Sequence, residues 1–293
     1  MKHLLLTSTA LVLSAGVAAA EINFGGSARF GIVYDDSAAN EVKLHNRFTL
    51  NIDGSAQTDT GIEFFARVRV RGENEGVSGL SSSGISAPRV GLRVGNFEFA
   101  TGNIKGAIEE MPGLYDGEIG LTAFNDPTAV AVTNRTGGNY DAFSSAGSGS
   151  NGAEVIYSNS GFMGHLSYGS STELTALVLA YEGSNWFVSG AYQDGPLAID
   201  EKLLLIGGAE FGNFSVGAGY GDNDGTDKWR LHGTVQVGSG TDITAFVADD
   251  ESGTDTLWGL GFTHSLGGAV LAGAVHGNEL GATLADLGVR FQF

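Results

Sequence analysis

Residues 44–54, LHNRFTLNIDG, and residues 62–71, IEFFARVRVR, decide the fold of this chain. In the first stretch, apolar Phe48, Leu50 and Ile52 alternate with polar Thr49 and Asn51. The second stretch repeats the alternation with arginines in its polar positions. Because successive side chains of a β-strand point to opposite faces of the sheet, each stretch predicts a strand with one apolar and one polar face.

The same two-residue period recurs along most of the chain. Links of two or three residues, such as 95–96, alternate with longer polar links, such as 222–225. This alternation predicts an all-β fold, an antiparallel up-and-down barrel with tight turns at one end and loops at the other. About sixteen strands are expected, at residues 22–34, 44–54, 62–71, 88–95, 96–103, 152–159, 161–169, 173–182, 185–194, 201–211, 213–222, 226–237, 242–250, 254–266, 268–277 and 282–293.

The first twenty residues predict an export signal peptide, residues 1–20. Lys2 and His3 precede a short apolar run, and the alanines at 18–20 offer a cleavage site before Glu21. The alternative is an N-terminal membrane anchor, but the apolar run is short and ends in alanines. The mature chain, residues 21–293, is then expected to be a single β-barrel domain.

Composition places this barrel in a bacterial outer membrane. After the signal peptide no run of about 18 apolar residues is present, so a closed barrel is the available way to span lipid. Aromatic residues gather toward strand ends and the chain ends on Phe293, which favours a membrane barrel over a soluble β-sandwich. The 33 acidic residues against 15 basic ones exclude nucleic acid as an expected partner and favour cations.

Charged residues of opposite sign are concentrated in two regions. The segment 104–151 has no sustained period and is acidic, whereas arginines crowd the polar faces of the strands before it. Clustered arginines need counter-charges, which the segment supplies if it folds into the lumen. The alternative is a row of solvated arginines with an external acidic loop. The predicted constriction comprises acids Glu109, Glu110, Asp116 and Glu118, and bases Arg29, Arg47, Arg67, Arg69 and Arg89.

Five stretches carry a resemblance to a known family. They are residues 25–31 (GGSARFG), 47–54 (RFTLNIDG), 66–69 (ARVR), 101–103 (TGN) leading to 115–120 (YDGEIG), and 285–293 (ADLGVRFQF). In these stretches the chain resembles the general diffusion porins of alphaproteobacteria, of the Rhodobacter type.

The resemblance implies a sixteen-stranded barrel in a homotrimer, with the third loop folded into the bore. By position, Asp116 and Glu118 look like loop acids, and the arginines up to Arg69 look like wall bases. Glu109 and Glu110 are placed there only by proximity in sequence.

We therefore expect a water-filled channel for passive diffusion of small hydrophilic solutes and ions, with a mild cation preference. The first alternative is a solute-selective outer-membrane channel. An enzyme is not expected, since His264 beside Ser265 is the nearest approach to a catalytic pair and neighbours along a strand face opposite ways. A purely structural or adhesive barrel is the remaining alternative.

No cofactor is required by any motif. Asp222, Asp224 and Asp227 surround a glycine turn and form a weak candidate for structural calcium, but they lack the spacing and the distal Glu of an EF-hand. The interpretation preferred here is a plain acidic external loop.

Overall fold

The computed structural model describes residues 20–74, 83–122, 130–133, 140–197 and 200–293. In it, strands whose side chains alternate between two faces form one continuous sheet. The strands of these residues are β1 Ala20–Asp35, β2 Val42–Gln57, β3 Glu63–Glu73, β4 Gly84–Ile85, β5 Arg89–Val94, β6 Phe97–Asn103, β7 Asn151–Asn159, β8 Phe162–Gly169, β9 Thr175–Glu182, β10 Trp186–Asp194, β11 Lys202–Phe211, β12 Phe214–Asn223, β13 Thr226–Val237, β14 Thr241–Asp250, β15 Leu257–Ser265, β16 Ala269–Gly277 and β17 Thr283–Gln292.

The sheet closes on itself, because β1 pairs antiparallel with both β2 and β17. At the seam, Gly26 and Phe293 exchange two backbone hydrogen bonds, of 2.8 and 3.1 Å. The short β4 and β5 both pair with β3 and occupy one position in the sheet. The result is a closed barrel of sixteen antiparallel strands, one of them interrupted, which confirms the predicted fold class.

The barrel has one apolar, exposed face and one polar face. The side chains of β11 show the alternation. Leu203 and Leu205 are each 56% exposed, whereas the next residue after each of them, Leu204 and Ile206, is 1% exposed. The exposed positions form the apolar face, and the alternate positions form what we call the polar face. Among the described residues, no helix has the length and apolar character needed to cross a membrane.

The strand boundaries agree closely with those predicted, apart from the fourth strand. There the stretch predicted at 88–95 begins at Arg89, and the additional pair Gly84–Ile85 precedes it. The predicted signal peptide falls almost wholly on residues 1–19, which lie outside the described part of the chain. Ala20 and Glu21 already belong to β1, opposite Ala56 and Ser55 of β2.

The largest apolar core lies between the polar face and residues 104–151, which we call the loop segment. The wall side of this core consists of small and branched residues from β9, β10 and β11. Its buried members are Ala107, Ile108, Met111, Leu114, Ala131, Val132, Ala176, Val178, Ala191, Leu204 and Ile206. A second cluster joins Ile119 and Val130 to Phe246 of β14 and Leu257 of β15. The loop segment is thus packed on the polar face as protein interior.

Candidate functional site

The loop segment is hydrogen-bonded to successive strands as it leaves β6. The Ala107 amide donates to Ser167 Oγ of β8 at 3.0 Å. Further along, Ser189 Oγ of β10 donates to the Pro112 carbonyl at 2.7 Å. Because these backbone groups are buried, each needs a partner from the wall. The loop segment therefore follows the polar face from strand to strand.

Arg230 of β13 holds the outgoing and returning runs of the loop segment together. Its side chain is fully buried, and its Nη1 donates to the carbonyls of Leu114 and Val130, each at 2.5 Å. Its Nη2 donates to the Gly113 carbonyl. Three carbonyl partners offset the cost of burying this cation away from water. Arg230 therefore anchors the middle of the loop segment to the wall.

Two charged side chains hold the far part of the loop segment. Asp286 of β17 accepts from the Leu121 and Thr122 amides at 2.9 and 2.8 Å and from Thr122 Oγ1 at 2.8 Å. Arg29 of β1 donates through Nη1 to the Thr122 carbonyl at 3.1 Å. The segment thus spans from β8 to the seam between β17 and β1.

Two glycines at that seam allow Leu121 of the loop segment to approach the backbone of β1 and β17 closely. A Cβ atom on either Gly31 or Gly288 would lie 2.5 Å from Leu121 Cδ2 and under 2.4 Å from a backbone carbonyl of the facing strand. Side chains larger than hydrogen therefore do not fit there without displacing the loop segment or the strands.

A buried ion cluster holds the start of the loop segment. Glu154 of β7 accepts from Arg89 Nε at 2.7 Å, His165 Nε2 at 3.0 Å and the Gly106 amide at 3.1 Å. Arg89 also forms an ion pair of 2.5 Å with Glu98. Arg89 was predicted as a base of the constriction, and this placement corrects that prediction. Wall carboxylates neutralise its charge because β6 and β7 place two glutamates on the same polar face.

Three of the predicted bases, Arg29, Arg47 and Arg69, line one open surface. Arg29 lies directly opposite Arg290 of β17 on one side and Arg47 of β2 on the other. Arg47 in turn lies opposite Glu73 of β3 and donates to it through Nε at 2.8 Å. With Arg69 and Arg71 of β3 these arginines border a cavity of about 700 Å³. We call Arg29, Arg47, Arg69, Arg71 and Arg290 the arginine wall.

Arg67 was predicted as a base of the constriction, but it does not line the cavity that the arginine wall borders. It forms a two-pronged ion pair with Asp53 of β2, at 2.5 and 3.0 Å. The cross-strand register places Asp53 directly opposite Arg67, so the strand pair itself supplies the counter-charge.

Two of the predicted loop acids face the arginine wall. Glu109 interacts electrostatically with Arg69, and Glu118 interacts with Arg290 and Arg29. Within the part of the chain that the structure describes, no ion pair shorter than 4.0 Å joins Glu109 or Glu118 to these arginines. The charges of these acids and bases therefore interact without a direct ion pair.

The environment of these two acids favours the protonated form. Loss of hydration raises the pKa of Glu109, although hydrogen bonds from Tyr115 Oη at 2.6 Å and from Tyr140 oppose the rise. Glu118 is exposed at the surface of the loop segment, yet it lies close enough to neighbouring protein to lose part of its hydration. That partial desolvation raises the pKa of Glu118 to about 7, against the lowering influence of Arg290.

The other two predicted acids have partners elsewhere. Glu110 accepts from Lys105 Nζ at 2.8 Å within the loop segment itself. Asp116 interacts with Arg230, and it borders two cavities on the side of β9 to β13. The structure thus does not bring Glu110 or Asp116 to the arginine wall, because the segment turns these side chains toward itself or toward the opposite strands.

Sequence reasoning missed several residues of this site. Arg290 and Arg230 lie outside the basic first third of the chain, and a single arginine on a strand gave no signal. Asp286 lies within the quoted stretch 285–293, but its role as an anchor depends on where the loop segment ends. Glu73 neutralises Arg47 and approaches Arg29 to 3.9 Å. Its cross-strand position opposite Arg47 was the available signal.

Two of the aspartates proposed for calcium accept hydrogen bonds at the turn between β12 and β13. Asp222 Oδ1 accepts from the Gly225 amide at 2.8 Å, and Asp227 Oδ1 accepts from Tyr220 Oη at 2.7 Å. Among the described residues, no group of three or more His, Asp or Glu is arranged to hold a metal ion. Calcium binding stays an untested prediction.

A closed antiparallel barrel with an exposed apolar face and a polar opposite face is the architecture of β-barrels that span membranes. That is the class of protein which the fold and the site define. A family model for Gram-negative porins matches residues 7–280. The chain belongs to the Gram-negative porin family.

Individual relatives agree with this assignment. A porin of Fuscovulum blasticum is 29% identical to this chain in an alignment of 293 positions. The alignment covers 93% of this chain and 100% of the relative. A triple mutant of Rhodopseudomonas blastica porin superimposes with a TM-score of 0.80 at 24% identity. Another mutant of that porin gives 0.82 at the same identity, and in both cases 93% of this chain and 100% of the other is covered.

The family assignment confirms the resemblance found in the sequence. The chain is an outer-membrane diffusion channel, as the Gram-negative porin match and its porin relatives support. Porins are channel proteins, and the expectation that this chain is not an enzyme stays a prediction.

Proposed function

We propose that the polar face lines a water-filled lumen and that the loop segment lies inside it and narrows it. The supporting observation is the path of the segment. It is bound to the wall from β8 round to the seam of β17 and β1, and its returning end contacts β3 where Arg69 Nη1 donates to Ser145 Oγ at 3.0 Å. Between these two attachments the arginine wall borders open space.

We call the part of the lumen narrowed by the loop segment the eyelet. In this proposal an electric field runs across the eyelet, from the arginine wall to the loop segment. Carboxylates of Glu109 and Glu118 stand on the loop side, and guanidinium groups stand on the wall side. Such a field orders water and favours a polar solute that can align its dipole, whereas an apolar solute must displace ordered water without compensation. Passive diffusion of small hydrophilic solutes and ions is the resulting activity.

We expect a mild preference for cations. The chain has 33 acidic and 15 basic residues, and its formal net charge is −18. An acidic protein raises the local concentration of cations at its pore mouths, which the arginine wall offsets only in part. A small excess of cation current follows.

The observation that carries the proposal is the electrostatic interaction of Glu118 with Arg290 and Arg29, with no ion pair shorter than 4.0 Å among the described residues. The experiment compares the wild type with Glu118→Lys in planar bilayers, by reversal potential in a KCl gradient. Because the substitution turns a loop anion into a cation in the eyelet, the preference should move toward anions.

Asp59→Lys is the matched control, since it changes charge equally at an exposed turn between β2 and β3. It should leave the reversal potential nearly unchanged. A pore that does not conduct, or equal shifts in both variants, would contradict the proposal.

The remaining expectations belong to the same proposal. We expect removal of residues 1–20 on export, insertion in outer-membrane lipid and assembly as a homotrimer; no cofactor is expected, with structural calcium at Asp222, Asp224 and Asp227 as an option. Mass spectrometry of the purified chain tests the cleavage, with Glu21 as the expected first residue. Electrophoresis of unheated and heated samples tests the trimer.

A further inference from the structure

The cavity bordered by the arginine wall has an unusual charge balance. Five arginines from four adjoining strands border it, together with the amide and hydroxyl groups of Asn51 and Thr49. Among the described residues, none of those lining the cavity carries a carboxylate. It therefore differs from the ion-paired surface formed by Arg67 of β3 and by Arg89 and Arg93 of β5.

One carboxylate near the cavity already pairs with arginines of the wall. Glu73 is only 2% exposed and forms an ion pair of 2.6 Å with Arg47 Nη2, and it approaches Arg29 to 3.9 Å. It does not line the cavity, so arginines are the charged side chains at the cavity border among the described residues. Among the described residues, the guanidinium of Arg290 has neither an ion pair nor a hydrogen bond.

The arginines are held in place before any solute arrives. Arg29 is oriented by His45 Nε2, which accepts from its Nε at 2.8 Å, and by the Thr122 carbonyl. Arg69 is oriented by Asn51 Oδ1 at 2.8 Å and lies over the ring of Phe143 at 4.9 Å. Preorganised side chains lose less rotamer freedom when they bind a ligand, which improves affinity.

We propose that this cavity binds small organic phosphates, such as a sugar carrying a phosphate ester, in transit through the pore. A phosphate offers two negative charges and several acceptor oxygens, and guanidinium forks match that geometry. A cavity of about 700 Å³ leaves room for the organic part beside Asn51 and Thr49. The inference rests on the proposed pore function, because it requires the polar face to border water.

Isothermal titration of the detergent-solubilised full barrel tests the proposal without any current. Glucose 6-phosphate and glucose are the probes, since they differ only in the phosphate. Glucose 6-phosphate should bind the wild type at least about tenfold more tightly than glucose. Arg290→Gln should weaken that binding about tenfold, which corresponds to losing one charge-assisted hydrogen bond.

Arg93→Gln is the matched control, since it removes the same charge from the polar face. Arg93 pairs with Glu63 and Glu98 at 2.7 and 2.6 Å, and it does not line the cavity. Its variant should bind glucose 6-phosphate within about twofold of the wild type. Equal binding of the two sugars, or equal losses in Arg290→Gln and Arg93→Gln, would overturn the proposal.

The two proposals fail in different experiments. The cation preference is read from reversal potentials in KCl and depends on Glu118. Phosphate binding is read from titration and depends on Arg290. In bilayers, glucose 6-phosphate should also reduce KCl conductance in a saturable way, and Arg290→Gln should need about tenfold more of it.

Discussion

Two parts of the polar face use the same residue types for opposite purposes. The part from β9 to β15 is covered by the loop segment, and Arg230 there is fully enclosed by backbone carbonyls. In the part from β17 to β3 the loop segment contacts Asp286, Arg29 and Arg69 but leaves a cavity uncovered, and Arg290 borders that cavity without a side-chain partner among the described residues. One arginine is a structural anchor, whereas the other is available to a solute.

What separates the two parts is the size of their neighbours. Gly219 and Gly221 of β12 lie under Val132, and a Cβ on Gly221 would come within 2.0 Å of the Val132 carbonyl. On the uncovered part, the long side chains of the arginine wall occupy the corresponding space. Small residues on the polar face therefore allow the loop segment to pack closely against it.

The largest expected effect comes from removing the buried anchor. Arg230→Met removes the Arg230 donor from the buried carbonyls of Leu114 and Val130, and each such loss costs about 1–3 kcal/mol, whereas the Gly113 carbonyl keeps its bond from the Asp116 amide at 3.1 Å. We expect the free energy of unfolding to fall by about 3 kcal/mol or more. Urea unfolding in lipid vesicles, followed by circular dichroism, measures it.

The matched control is the same substitution at the uncovered arginine. Arg290→Met removes no hydrogen bond found among the described residues, so its cost should stay within about 0.5 kcal/mol, as at an ordinary surface position. Equal destabilisation by the two substitutions would break the distinction between the anchoring and the available arginine.

The next largest effect concerns the seam where the loop segment meets the barrel. Gly288→Ala places a Cβ at 2.2 Å from the Phe30 carbonyl and at 2.5 Å from Leu121 Cδ2. Overpacking of this kind costs about 1–3 kcal/mol. Because the segment is expected to shift, single-channel conductance should change as well as stability.

Gly54→Ala is the control for this prediction, since a Cβ on Gly54 meets no atom within 4 Å. It should be neutral or stabilising by a few tenths of a kcal/mol, because alanine is less costly than glycine in a strand. If Gly288→Ala behaves like Gly54→Ala, the segment does not press on the seam as described.

The sequence predicted the barrel closely because period two is a local property. The sequence of each strand shows by itself which residues share a face. Residues such as Leu204 and Leu205 can therefore be assigned to opposite faces of the sheet without knowledge of the neighbouring strands. Closure followed from the final strand, whose alternation ends at Phe293. The broken fourth strand could not be predicted, because the interruption at Ser86 reflects its bridge to Gly147 of the loop segment.

The structure brings together only part of the predicted set of bases. Arg29, Arg47 and Arg69 line one cavity, whereas Arg67 and Arg89 are neutralised by Asp53 and Glu154. Cross-strand register decides this, and register depends on pairing between distant parts of the chain. The path of an aperiodic segment leaves no such pattern, so Arg230 and Asp286 were missed.

The smallest expected effect is a dependence of ion preference on pH. Because the pKa of Glu118 is raised to about 7, its carboxyl is protonated at lower pH and gains its charge as pH rises through 7. About a tenth of it is ionised at pH 6 and about nine tenths at pH 8. The cation preference measured by reversal potential should therefore increase from pH 6 to pH 8.

Glu118→Gln separates this effect from other titrating groups. Glutamine has no carboxyl to ionise, so the substitution removes this group from the pH response. Burial also raises the pKa of Glu109, and its ionisation moves the preference in the same direction. The variant should lose most of the pH dependence, whereas Asp59→Asn, at the exposed turn between β2 and β3, should keep it. A pH dependence that survives in Glu118→Gln at full size would place the titrating carboxyl outside the gap between the loop segment and the arginine wall.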